Sequence, residues 1–546
     1  MSNTARLIYE GPNKILPKVS FELSKFRQLA IPMFFSQLAG HATGIIAALM
    51  TGNYSTIDQA AVATGNMFFF PISMGLMGTL FIVTAMVAQN FGANTLANVG
   101  KIIRQSFWVS IPLIILGIWA MSQSSWAFNL LGTPEEVREI TRKYMYGLMV
   151  GLPALYFFQP LRSMSEGITK PLPITYINLF MVAVNAIFNY GFIFGKFGLP
   201  ELGGAGCGIS FAVSAWLSLI ILAIYIYTSD NYKDCGLFDQ FDLPDFKVIK
   251  EIVVLGLPIG GTLFVEISMF SGSGLILGQL GADVIASHSI AMHVSTVTFM
   301  IPLAIGLAAS VRVGNLVGAN ASQDSRFAAF CGIGFSIALA FINAAILILY
   351  GEYLASFFNP NSLIISLAST LLIVAAIFQI TDGIAFSGMG ALRGYKDTRV
   401  PLLIMIIAYW VVGMPLGYNI SFISIFGMVA LTGVVINDSL VLVDKYNRFR
   451  RTTEMTPTEA VVEAARRRFR AIFLTTSTTA LGLTPMLFES STQAAFLKPM
   501  AVSIATGIVF ASLIILFLVP CLIVMLSKFE ETREEEDLSA IAINSG

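Results

Sequence analysis

The sequence predicts an all-α polytopic membrane protein of about fourteen spans, and three observations lead there. Its 546 residues are 56% hydrophobic and 12% charged, with a mean hydropathy of +0.77, more apolar surface than a water-soluble fold of this length buries. Apolar stretches of spanning length recur along the whole chain, and lipid offers no hydrogen-bond partners, so each stretch must close its backbone bonds internally as a helix. Lys and Arg, finally, collect in alternate loops.

Taken in order, residues 1–26 carry Arg6, Glu10, Lys14, Lys18, Glu22 and Lys25 without an apolar core, and read as a cytoplasmic N-terminal segment rather than a cleaved leader. A first lobe over 27–230 has spans near 27–51, 59–88, 104–123, 141–161, 172–194 and 203–228. A cytoplasmic linker, 231–251, leads to a second lobe over 252–420, with spans near 252–279, 284–309, 327–350, 362–390 and 400–420. Three more spans, near 422–443, 471–488 and 500–526, fill 421–527, and 528–546 is a solvated charged tail. With the N-terminus inside, 27 of the 32 Lys and Arg lie in inner segments. The outer five are Arg138, Arg142, Lys143, Lys196 and Lys498, so both termini are expected in the cytoplasm.

The net charge of zero carries no information about partners; only its placement does. Cys207, Cys235, Cys331 and Cys521 are scattered without metal-ligand spacing, which argues against disulfides and zinc. The glycine run "GGAGCG" (203–208) opens a membrane helix with no strand before it, so it is not a phosphate loop. Thr456 and Glu459 stand at capping-box spacing around Pro457 and predict a helix start. The arginines that follow suit lipid headgroups rather than nucleic acid.

The segment "VAQNFGANT" (87–95) returns as "VGNLVGANA" (313–321), pairing Gly92 with Gly318, and the same spacing of 226 residues pairs Pro32 with Pro258. A duplicated six-helix unit follows, an arrangement in which transporters bind substrate between the halves. The sixth helix of the second copy should fall near 429–454, where the sequence no longer resembles its counterpart.

Residues 26 to about 418 resemble the multidrug and toxic compound extrusion (MATE) family, NorM type, through "GKFGLPELGGAGCGIS", "LGLPIGGTLFVEISMF", "ASVRVGNLVGAN", "ALRGYKDT" and "YWVVGMPLGY". Residues 422–527 resemble the last three helices of resistance-nodulation-division (RND) pumps, through "GMVALTGVVINDSLVLVD", "EAARRRFRAIFLTTSTTALGLTPMLFE" and "FLKPMAVSIATGIVFASLIILFLVPCL". The expected architecture is a two-lobed MATE-like bundle with its last helix replaced and two helices added.

Carboxylates deep in a spanning helix are costly and usually face a cavity or a cation. Glu266 lies mid-helix with Thr262, Met269 and Phe270 beside it, and Asp382 shares a face with Gln379, Phe386 and Met389. An acid beside an aromatic ring and a thioether suits a hydrophobic cation, although Met and Phe at helical spacing are more often packing. The resemblance implies that Glu266 and Asp382 are cation-coupling positions, holding sodium or a proton, and from their place beside these acids Met269, Phe270, Gln379, Phe386 and Met389 are expected to line the substrate cavity. In the first lobe the family's acid position is Ala47 and a family threonine position is Phe211, leaving Asn185, Asn189 and His41 as a candidate polar site. A lone His beside small residues is more often a packing residue. In RND pumps Asn437, Asp438 and Thr475 fall on a proton relay, but that relay needs acids on helices this chain lacks, so Asp438 reads as a remnant.

The resulting expectation is a secondary efflux transporter of the bacterial inner membrane, a monomer in lipid without a cofactor, exporting amphipathic organic cations against sodium or protons. It is not expected to be an enzyme, and no ATP-binding motif occurs. A lipid-linked sugar flippase, which would want arginines inside its cavity, and a transport-inactive fusion are the alternatives. A reporter fused after Gly546 should therefore read cytoplasmic; an external reading would make the span count odd.

Overall fold

The computed structural model describes residues 8, 15–130, 133–277, 282–358, 361–405, 439–453, 455–489, 492–513, 515–516, 519–520 and 523–524, and the regular elements among them are helices. The chain forms two compact units, Met1–Ile407 and Ala408–Gly546.

The first unit opens with α1 (Ile15–Tyr54), α2 (Thr56–Gly78), a 3-10 turn (Thr79–Phe81) and α3 (Ile82–Gly92), the last three forming one continuous span. Next come α4 (Leu96–Ser122), α5 (Ser124–Leu130), α6 (Glu135–Gly167), α7 (Leu172–Phe194) and α8 (Gly204–Thr228). After a 3-10 turn at Asp230–Cys235 follow α9 (Phe246–Leu277), α10 (Ala282–Gly318), α11 (Ser322–Ser356), α12 (Ser362–Gly394) and α13 (Arg399–Met405). Side chains cap orphan helix ends: Ser55 Oγ accepts from the Ile57 and Asp58 amides, and Asn361 Oδ1 accepts from Leu363 N.

Among the described residues nine helices are long and apolar enough to span a membrane. The expected span at 141–161 is helical within α6, but Gly147, Gly151, Pro153, Gln159 and Pro160 dilute its hydropathy, and it is not one of the nine. The expected spans at 400–420 and 422–443 fall largely outside the described residues, so the count of fourteen does not emerge from these helices.

The repeat reappears in the backbone. Asn94 and Asn320 take φ of 59° and 58° after α3 and α10, and Thr169 and Lys396 both take φ of 63° after α6 and α12. The two lobes meet through α1, α2 and α3 on one side and α9 and α10 on the other. Glycines set the spacing. A Cβ on Gly256 would sit 2.0 Å from Thr79 O, on Gly92 1.9 Å from Asn315 O, and on Gly318 1.9 Å from Gln89 O. The last two contacts are repeat mates of each other.

α1 starts at Ile15, not near 27, because its charged first turns find partners in the other lobe. Glu22 and Arg312, both 2% exposed, form a two-bond ion pair, Nε to Oε2 at 2.7 Å and Nη2 to Oε1 at 2.6 Å. Lys18 pairs with Asp324 at 2.7 Å. The stretch that joins the lobes is pinned to α4, with Arg104 and Trp108 bonded to Asp242 and Lys101 paired with Asp245.

In the second unit, α14 (439–452), α15 (Pro457–Phe488) and α16 (Thr492–Leu513) are described, and Leu442, Ile472 and Ile515 form a small core. The Thr456–Glu459 capping box is present as expected. Asn437 and Asp438 lie outside the described residues. Thr475 is described, and its hydroxyl donates to Ala471 O of its own helix at 2.8 Å.

A buried ion pair costs most when one partner is removed, so Arg312→Ala should lower stability by about 3–5 kcal/mol in detergent unfolding, while Arg312→Met with Glu22→Leu recovers most of it. Equal losses in the single and double variants would mean that packing, not the stranded charge, is what α1 contributes.

Candidate functional site

Helix α9 carries glycines on the faces it presses against its neighbours. Gly256 and Gly260 meet Thr79 and Gly75 of the first lobe, and Gly261 meets Leu402 of α13. Pro258 lies inside α9 with no N–H to donate to the preceding turn, and its own carbonyl accepts from Thr262 Oγ1 at 2.8 Å. Two turns beyond Pro258 stands Glu266, 7% exposed, with no ion-pair or hydrogen-bond partner among the described residues.

Asp382 on α12 is half-buried, likewise has no such partner among the described residues, and lies within electrostatic reach of Glu266. Glu266, Thr262, Phe386, Met389, Arg393 and Thr398 are among the residues lining a narrow cleft between α9, α12 and α13. Its volume is about 30 Å³, room for an ion or a water rather than a drug-sized molecule. The Phe386 ring is held edge-on to Phe299 at 4.6 Å.

The other expected lining residues do not converge on this cleft. Gln379 is 1% exposed and its amide ties three helices together. It accepts from Asn343 Nδ2 at 2.8 Å, donates to Ser295 O at 3.0 Å and bonds the Thr298 hydroxyl. Met269 lies a turn beyond Glu266 and is half-buried, and Phe270 is 41% exposed.

In the first lobe, Asn185 donates to Ser214 Oγ at 3.2 Å and Asn189 donates to Asn185 Oδ1 at 2.9 Å, while the buried Asn189 Oδ1 has no partner among the described residues. Ala47 packs against the core of that lobe, and Phe211 stacks edge-on with Phe69 at 5.6 Å. His41 is not near these amides in a shared network. Its ring lies 6.3 Å from that of His293 across the lobe boundary, and its Nε2 is buried without a partner among the described residues. His293, Gln89 and the Glu22–Arg312 pair escaped the sequence reading. For Gln89 the signal was available, since it stands in the repeated segment.

Among known proteins, the MatE family profile matches residues 32–191 and 258–419, and the AcrB/AcrD/AcrF family profile matches 395–527. The chain is 34% identical over 407 residues to multidrug resistance protein PmpM of Pseudomonas aeruginosa, spanning 74% of this chain and 85% of that protein. It is 36% identical over 403 residues to a probable multidrug resistance protein NorM of Shewanella oneidensis, spanning 74% and 88%. Of solved structures, the MATE transporter NorM-NG in complex with R6G and a monobody is 31% identical with a TM-score of 0.61, covering 71% of this chain and 85% of that one. The eukaryotic MATE transporter AtDTX14 shares the fold, with a TM-score of 0.67 at 17% identity over 93% of this chain and 99% of that one.

An ionised carboxylate without a partner strains the fold that buries it. Glu266→Gln should therefore raise unfolding stability in sodium-free alkaline buffer, by about 1–3 kcal/mol. A fall instead would reveal a structural partner for this acid.

Proposed function

The chain belongs to the MATE family of membrane transporters, not to an enzyme class, and from that premise we propose that it is a multidrug exporter of the bacterial inner membrane with its coupling site in the second lobe. The substrates in this reading are amphipathic organic cations, exchanged for inward sodium or protons. Orientation follows the distribution of Lys and Arg: the end of the bundle that carries residues 92, 167, 318 and 394 faces the cytoplasm.

The observation that carries the proposal is the pair Glu266 and Asp382, two carboxylates within electrostatic reach, neither with an ion pair among the described residues. A buried acid left without a counter-ion gains from any cation or proton that reaches it, and that gain couples ion entry to the state of the site. The cleft volume suits the ion, so in this reading the drug occupies space that opens between the lobes as they move. The flippase alternative loses ground because Glu266 and Asp382 would repel a pyrophosphate.

One charge moving through 100 mV supplies about 2.3 kcal/mol, so removing it should reduce the sustained dye gradient by up to about 40-fold. Glu266→Gln and Asp382→Asn, expressed in a pump-deficient bacterium with and without sodium, should each show a loss of this order at unchanged membrane insertion. Asp438→Asn should retain most export. Undiminished efflux from both second-lobe variants would sink the coupling assignment, and a loss in Asp438→Asn equal to theirs would make that acid part of it.

A further inference from the structure

The repeat makes one comparison possible that neither lobe offers alone. Gln89 and Asn315 are mates, and so are the helix ends at Gly167 and Gly394, each closed by the same backbone bonds and followed two residues later by a left-handed residue, Thr169 or Lys396. Gly167 rests on Thr84 and Val87, and Gly394 rests on Ser310 and Val313, again positions 226 apart. On this shared frame one contact is made once. Gln89 Nε2 crosses the lobe boundary and donates to Gly394 O at 2.9 Å, capping an orphan carbonyl at the end of α12.

Asn315 makes no equivalent bond. It is 0% exposed, and both Nδ2 and Oδ1 are without partners among the described residues. Its side chain is one methylene shorter than that of Gln89, roughly 1.5 Å of reach. Between it and the α6 end lies a polar cavity of about 420 Å³, lined also by Ile168, Thr169, Lys170, Cys235 and Arg312. The cavity leaves room beside the buried amide, so this side lacks the bridge that its mate makes. Arg312 stands one turn before Asn315, and its pair with Glu22 is the contact that closes this edge.

We propose that Gln89 and Asn315 are positioning residues of the transport cycle: Gln89 adds a latch to one edge of the closed lobe junction, and the missing reach of Asn315 leaves the other edge without that latch, held by the Glu22–Arg312 pair. This rests on the reading that the chain transports by moving its lobes about this junction. The two edges would then have different strengths although their backbones match. Exchanging the side chains should exchange the strengths.

Native Cys235 provides the readout. It is 1% exposed, lines the cavity, and its burial pushes the thiol up to about 11, which keeps it unreactive until the edge opens. In the full-length protein with Cys207, Cys331 and Cys521 changed to Ser, the rate of N-ethylmaleimide addition to Cys235 would be followed without substrate or ion gradient. Gln89→Asn should raise that rate about two- to tenfold, Asn315→Gln should lower it by a similar factor, and the double exchange should return it toward the starting value. Asn315→Leu, which removes the amide without extending it to the carbonyl, should not reproduce the slowing. Unchanged or faster labelling in Asn315→Gln, or equal slowing in Asn315→Leu, would overturn the proposal. Because the thiol rate needs no transport, the expected order of rates together with full dye export by Glu266→Gln would fault the coupling reading and leave the latch standing.

Discussion

The structure of the first unit depends on how closely two lobes can approach where there is no water to drive them together. Lipid is as apolar as Leu, so helices in a membrane associate through short-range packing and through polar contacts that bridge them. Here glycines remove the side chains that would hold the backbones apart. Gly256 against Thr79, and the reciprocal contacts of Gly92 with Asn315 and Gly318 with Gln89, bring carbonyl oxygens to distances at which any Cβ would collide. Everything else at that end is placed by this contact, including the Glu22–Arg312 pair, the Gln89 bridge and the cavity beside Asn315.

The same glycine face of α9 positions the candidate ion site. With Gly256 and Gly260 committed to the first lobe and Gly261 to α13, Glu266 is left on the remaining face, toward α12. Gln379, one turn before Asp382, holds α12 against α10 and α11 through its amide, so Asp382 is carried on a braced helix rather than on a loop. A polar residue that sequence reasoning assigned to the substrate thus has a different physical task, and the difference matters for precision at the neighbouring acid.

What the sequence revealed and what it hid divide along the range of the interactions. The repeat, the helical periodicity, the Thr456 capping box and the intramembrane acids are local or periodic features, and each could be read from spacing alone. The start of α1 could not. Lys18 and Glu22 look like part of a solvated cytoplasmic segment until Asp324 and Arg312, 290 residues beyond Glu22, are seen to neutralise them. The tasks of Gln379 and His41 were hidden for the same reason, since both face partners on other helices. The second unit shows the limit from the other side: the family profiles overlap over 395–419, and much of that junction, with Asp438 beyond it, lies outside the described residues.

The two lobes are copies in backbone and not in chemistry, and the departures are concentrated on the axis between them. Gly40 stands where the repeat would put a mate for Glu266, and Ala47 stands at the position where the family resemblance leads one to expect an acid. The second lobe thus carries the Glu266 and Asp382 carboxylates, and the first has packed side chains at Ala47 and the Asn185–Asn189 amide pair. A symmetric pair of charged sites would change state together as ions bound and left, giving no direction to the motion. In the proposed coupling, an ion at Glu266 and Asp382 would act on one lobe of an unequal pair, and an unequal pair can pass through its states in order.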